Sequence, residues 1–331
     1  MNHAYIGHSS QIYGVEEHRL VGGRGDGMRL LEVCNGQGLD FTVSLDRCAD
    51  ISRLRFKGGN YGYFAPCGYV HPSYYDGKGS GFLKSFTAGF LTTCGLNAVG
   101  TPCNDAGEEL PLHGTISNTP AEHVAWGVEK DTIWIHAEIN DEGIFSHKLR
   151  LNRNYSCSTT ENILVIRDTI MNCGDAPYPV ELLYHMNMGY PLLCEDSQLY
   201  IPSTSVIPRN LRAAEGIDTW MKPEKPAADF EEQCYFHSFE DKGIAAIYSP
   251  RLGTGLAIYF DPKQLPYFTQ WKMMGIRDYV MGLEPGNCHP DGRAKMRADG
   301  RLTVLQPGEC VEYEVKLSML ESLEAFEKVK G

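Results

Sequence analysis

NILVIRDTIMNCGDAPYPVELLYHMNMG, residues 162–189, is the stretch on which the fold turns. Apolar and polar residues alternate over 162–172, Cys173-Gly174-Asp175 interrupts them, and alternation resumes over 179–189. A period of two marks a strand with one buried face, and a Gly/Asp break marks the turn between two strands. The pattern repeats upstream in FTVSLDR (41–47), HVAWGVE (123–129), TIWIHAEI (132–139) and FSHKLRL (145–151). Downstream it returns in GIAAIYS (243–249), TGLAIYF (254–260), YFTQWKM (267–273), DYVMGLE (278–284) and CVEYEVKLSML (310–320). Many strands at short spacing, with hardly any helical periodicity between them, predict an all-β sandwich rather than alternating strands and helices.

Elsewhere the local signals are weaker. LESLEAFEKVK combines good helix formers with a basic end, so a short C-terminal helix is expected within 319–331. GFLKSFTAGFLTTC (81–94) is ambiguous, because glycine interrupts any helix there. Residues 208–238, rich in proline and charge, read as an irregular surface excursion, with a lid or a homodimer contact as alternatives. No repeat, low-complexity tract or linker divides the chain. One domain over 1–331 is expected, with N-terminal strands and loops over 1–39 and a core over 40–318.

Composition narrows the function. The formal charge of −12 on 331 residues is spread without a basic cluster, which argues against nucleic acid and anionic membrane surfaces as partners. No run approaches the roughly 20 apolar residues that span a bilayer, and the first residues lack a secretory pattern. Eleven cysteines, odd in number and irregular in spacing, form no CxxC pair, and Cys288-His289 has no partner cysteines at zinc-site distances. Free thiols in a reducing cytoplasm and no metal site are the expectation, with a disulfide or periplasmic role as the alternative. There is no G-x-S-x-G elbow, Walker A loop or strand-borne G-x-G-x-x-G.

Three polar residues stand out. In the strand 180–190, Leu182, Tyr184, Met186, Met188 and Tyr190 form the apolar face; Glu181, Leu183, His185, Asn187 and Gly189 form the other. His185 is then either a catalytic imidazole beside Asn187 or one satisfied within a wall of the fold. His113, in PLHG, precedes a glycine that permits a sharp turn or close approach to a ligand; an ordinary loop histidine is the alternative. Glu284 closes an apolar strand before Pro285-Gly286, where partial burial would make it a stronger base. Pairing with Arg293 or Arg297 is the competing reading. Arg47 could fork onto hydroxyls or pair with a nearby Asp. Trp271 could stack on a sugar beside Gln270, or simply fill the core.

Together these segments resemble the aldose 1-epimerase (galactose mutarotase-like) superfamily, and within it the DUF4432 branch. The resemblance spans about 40–318 and is carried by SLDRCADISRLRFKGG, FTAGFLTTCGLNAVG, PLHGTISNTPAE, VELLYHMNMGYPLL and QWKMMGIRDYVMGLEPGNCHPDGR. It implies a large, twisted antiparallel β-sandwich with few helices and a small-molecule carbohydrate in an open cleft. It also implies cofactor-free chemistry: Glu284 takes the anomeric proton, His185 protonates the ring oxygen and His113 orients the sugar. Arg47 and Asn187 would hold hydroxyls, with Trp271 as the floor. Thr115-Ile116 after the His113 turn and Met-Asn-Met-Gly after His185 depart from the usual pattern, so the sugar is left open. Acidic or phosphorylated aldoses stay in play through Arg47, Lys84 and Arg209. A non-catalytic carbohydrate-binding module, or another sugar isomerase or lyase, are the competing functions.

Overall fold

A computed structural model describes residues 3–331. Its architecture is antiparallel β-sheet. One sheet has eight strands, ordered His123–Glu129, Thr132–Glu142, Lys148–Ser158, Ile163–Asn172, Cys310–Leu320, Thr254–Phe260, Gly243–Ser249 and Gln198–Tyr200. The strands expected at 123–129, 243–249, 254–260 and 310–320 coincide with these bounds. Inward residues of this sheet, among them Ile135, Leu151, Ile166, Val315 and Leu317, are buried. A separate five-stranded sheet covers the N-terminal region from Gly14–Arg19 to Gly59–Asn60.

A seven-stranded sheet carries the site. Five of its strands matter here: β1 (Leu91–Leu96), β2 (Tyr178–Met188), β3 (Gln233–Ser238), β4 (Tyr267–Met274) and β5 (Tyr279–Gly286). They lie side by side as β3-β4-β5-β2-β1, with β2 paired on both edges. Leu182, Tyr184, Met186 and Met188 of β2 enter the main core, as the alternation predicts. Each such apolar side chain contributes roughly 1.5–3 kcal/mol by burial.

One expectation is corrected and one is sharpened. Residues 208–238 are not a surface excursion throughout: after the short helix Leu211–Glu215 the chain returns as β3, a largely buried inner strand. The C-terminal helix is Leu323–Lys330, capped by Ser322 Oγ, while Met319 and Leu320 still belong to the preceding strand. The ambiguous segment resolves into a short turn, Gly81–Lys84, followed by β1.

Between the sheets lies a buried charge cluster. Arg153 places its N–H groups on Asp50 Oδ1, both carboxylate oxygens of Asp168, the Cys48 carbonyl and Thr93 Oγ1, at 2.6–3.2 Å. The Tyr184 hydroxyl donates to Asp168 at 2.9 Å. The guanidinium has five donors, and each finds an acceptor.

Candidate active site

The register of β2, β5 and β4 assembles the site. Met186 faces Leu283 and Leu183 faces Gly286, which sets His185 across from Glu284; Thr269 is the partner of Glu284 on the other side. Three polar side chains therefore form a row, His185, Glu284 and Thr269. The next row holds Asn187, Gly282 and Trp271. A Cβ on Gly282 would overlap the Glu284 carboxylate and approach the Trp271 Cβ to 3.1 Å. This glycine is what lets the carboxylate fold back along its own strand.

His113 arrives from a turn packed on the same face. Its backbone is left-handed, at φ 58°, a conformation that costs a non-glycine residue about 1 kcal/mol or more. Local bonds hold it there: the His113 N–H donates to the Gly100 carbonyl at 3.0 Å, and the Gly95 N–H donates to the His113 carbonyl at 3.1 Å. The Gly100 N–H also donates to His113 Nδ1 at 3.3 Å, which leaves the hydrogen of the neutral ring on Nε2. The His113 and His185 rings meet edge to face at 5.6 Å. Phe82 packs on His113 at 5.4 Å, and Phe86 and Trp271 pack on His185 at 5.4 and 5.3 Å.

These groups line a cleft of about 460 Å³, together with Leu112, Thr101, Pro102, Arg209, Glu232, Cys234 and Pro290. On its floor His185 Nδ1 and Glu284 Oε1 stand 3.3 Å apart. Both atoms are buried, and their alignment leaves neither with a hydrogen bond. The buried Thr269 hydroxyl has no partner either. Burial pushes the His185 imidazole down to about 4. Burial, then the neighbouring His185 and Arg209, push His113 down to about 3. Burial, reinforced by Glu232, holds Glu284 well above the ordinary carboxylate value. A slightly larger groove, about 520 Å³, lies on the N-terminal sheet. There Glu16 stands opposite Glu32, a like-charge pair that repels, and Thr42 stands opposite Arg53.

The structure thus brings His113, His185, Glu284 and Trp271 together with Arg209, and it sets Arg47, Asn187, Gln270 and Lys84 elsewhere. Arg47 is buried and donates to the carbonyls of Ser117, Val70 and Ser85, so it ties loops together rather than facing the cleft. Asn187 is fully buried beneath His185, donating to the His185 carbonyl at 2.9 Å. Gln270 lies on the opposite face of β4 from Trp271 and donates to the Trp220 carbonyl. Lys84 points into solvent, 3.6 Å from Asp76. Arg293 and Arg297 pair with Asp105 and do not reach Glu284. Sequence reasoning missed Thr269, Gly282, Glu232 and the Phe82–Phe86 wall. Thr269 was within reach, since it shares the Trp271 face two residues away.

Comparison with known proteins agrees with this architecture. A candidate aldose 1-epimerase from Klebsiella pneumoniae subsp. pneumoniae MGH 78578 superposes with a TM-score of 0.89 at 26% identity, over 97% of this chain and 88% of that one. Galactose 1-epimerase from Lactobacillus acidophilus NCFM gives 0.65 at 15% identity, over 94% and 99%. A galactose mutarotase-like protein from Clostridium acetobutylicum gives 0.69 at 14% identity, over 93% and 99%. The fold is therefore galactose mutarotase-like, the fold of sugar epimerases. No curated protein matches the chain in sequence. The model of the family described as "Domain of unknown function (DUF4432)" matches residues 25–319, and the chain belongs to that family.

Proposed function

We propose that the protein is a mutarotase or epimerase that interconverts the anomers of an aldose by acid–base ring opening. One observation carries this reading: two buried, unpartnered atoms, His185 Nδ1 and Glu284 Oε1, face each other at 3.3 Å on the floor of a sugar-sized cleft. Burying such groups unsatisfied costs about 1–3 kcal/mol each, a penalty that makes sense where a ligand completes them.

The pair holds one proton between its members, and its titration belongs to both. Burial favours the neutral form, with the proton on the carboxyl. Transfer across 3.3 Å yields carboxylate and imidazolium, the reactive form. Glu284 then accepts the proton of the anomeric hydroxyl while His185 delivers its proton to the ring oxygen. The C1–O5 bond breaks as the C1 carbonyl forms, the C1–C2 bond rotates, and the reverse transfers close the ring on the other face. His113, as an Nε2–H donor, steadies the oxygen on which charge develops. All steps use side chains of this chain, the domain acts as one unit, and the free thiols suit a reducing cytoplasm.

The test is anomer exchange by magnetisation-transfer NMR over a panel of aldoses. One sugar should exchange faster with the protein, and His185→Ala or Glu284→Gln should each cut turnover about a hundredfold or more. A loss under about threefold would remove that residue from the mechanism. A sugar that binds without turnover would instead mark a carbohydrate-binding module.

A further inference from the structure

The polar and apolar parts of the cleft are unevenly divided around the acid–base pair. If His185 serves the ring oxygen and Glu284 the anomeric oxygen, the rest of the sugar is oriented. Carbon 2 then lies beside Glu284, where the unpartnered Thr269 hydroxyl is the next side chain along the row. Hydroxyls on carbons 3 and 4 reach the rim. There the exposed Glu232 carboxylate, held by the Trp271 indole N–H at 2.7 Å, stands with Arg209 and Thr101 beside solvent.

Carbon 6 is different. It is two bonds from the ring oxygen, so it must lie among the immediate neighbours of His185. Those neighbours are rings: Phe86 at 5.4 Å and Trp271 at 5.3 Å, with Phe82 stacked on Phe86 at 5.2 Å, and on another side the His113 imidazole at 5.6 Å, already assigned to the reacting oxygen. Below them both Asn187 Nδ2 hydrogens have carbonyl partners, and its buried Oδ1 has none. Between the Phe86 and Trp271 rings a hydroxyl on carbon 6 would give up water against ring faces, whereas a methyl group would bury apolar surface there.

We propose that the cleft is built for a 6-deoxyaldose, a hexose whose carbon 6 is a methyl group held between Phe86 and Trp271. The proposal rests on the orientation given by the mutarotase reading. Phe86 and Trp271 select at carbon 6, and Thr269 receives the hydroxyl of carbon 2.

Matched pairs that differ only at carbon 6 provide the test: D-fucose with D-galactose, L-fucose with L-galactose, D-quinovose with D-glucose and L-rhamnose with L-mannose. Exchange NMR on the wild-type protein gives kcat/KM, and ligand-observed NMR on Glu284→Gln gives affinity independently of turnover. For the accepted configuration the 6-deoxy member should exceed its parent about tenfold, as one desolvated hydroxyl dictates. Phe86→Ser, which puts a hydroxyl at the wall, should narrow that ratio. Equal or better performance of the hydroxylated parent overturns the proposal and leaves the mutarotase reading standing. Binding with a 6-deoxy preference but no exchange overturns the catalytic reading and upholds the selectivity. Neither binding nor exchange for any pair overturns both.

Discussion

Tyr184 and His185 are adjacent on β2, both buried, and face opposite sides of the sheet. On the core side the Tyr184 hydroxyl joins a cluster in which Asp168, Asp50, Thr93 and Arg153 bond one another until every guanidinium donor has an acceptor. On the cleft side His185 Nδ1, Glu284 Oε1 and the Thr269 hydroxyl are equally hidden yet bonded to nothing. Burial and polarity are the same on the two faces; satisfaction is not. A closed network needs nothing more and serves the fold, while an open row of donors and acceptors awaits a partner.

The largest effect should come from breaking the closed network. Arg153→Leu would leave Asp50 and Asp168 buried without their cation, a loss of roughly 3–5 kcal/mol. Chemical denaturation should show that loss, or the variant should fail to fold. Glu284→Gln, on the open side, should unfold at nearly the wild-type denaturant concentration while losing turnover. If Arg153→Leu cost less than about 1 kcal/mol, the satisfied network would not be holding the sheets together.

The contrast also explains how far the sequence could be read. Strands with one solvated face, such as His123–Glu129 and Cys310–Leu320, keep their alternation and were legible. LTTCGL, β1, is buried on both faces, so nothing alternates and the segment stayed ambiguous. β3 was hidden by the proline and charge that precede it. His113, His185 and Glu284 were legible as candidates because each is a polar residue in a stiff, apolar setting. Face assignment put Asn187 beside His185 correctly, but the stacking of Phe90, Ala88 and the turn around them, which roofs one residue and opens over the other, comes from residues distant in sequence. Gln270 could have been rejected from the sequence alone, since it cannot share a strand face with Trp271. Arg47 could not: only the folded chain reveals the three carbonyls that occupy it.

A pH profile sharpens the open side next. An exposed Glu/His pair in its ionic form would lose activity as pH rises through the ordinary imidazole value near 6.5. Burial moves His185 down to about 4 and Glu284 up, so here the pair keeps a single shared proton across the interval between them. Below about 4 a second proton enters, the base is lost, and activity should fall about tenfold per pH unit. kcat/KM should therefore be level above that acid limb until, on the alkaline side, Glu284 gives up the shared proton. A limb at 6 to 7 that moves in Glu284→Gln would mean the two groups titrate separately.

The smallest effect is the most discriminating. Thr269→Val keeps the shape of the side chain and removes only a hydroxyl that has no partner within the protein. In a closed network that change would destabilise the protein, because a bonded partner would be orphaned. Here no partner is orphaned, so the melting temperature should hold or rise slightly. Catalysis should move the other way, with kcat/KM on the accepted sugar falling about five- to twentyfold, the scale of one lost hydrogen bond to a buried ligand hydroxyl. The same substitution should cost little on the 2-deoxy analogue of that sugar, which has no hydroxyl to lose. Opposite signs in stability and turnover at one residue are what an open polar row produces and a closed one cannot.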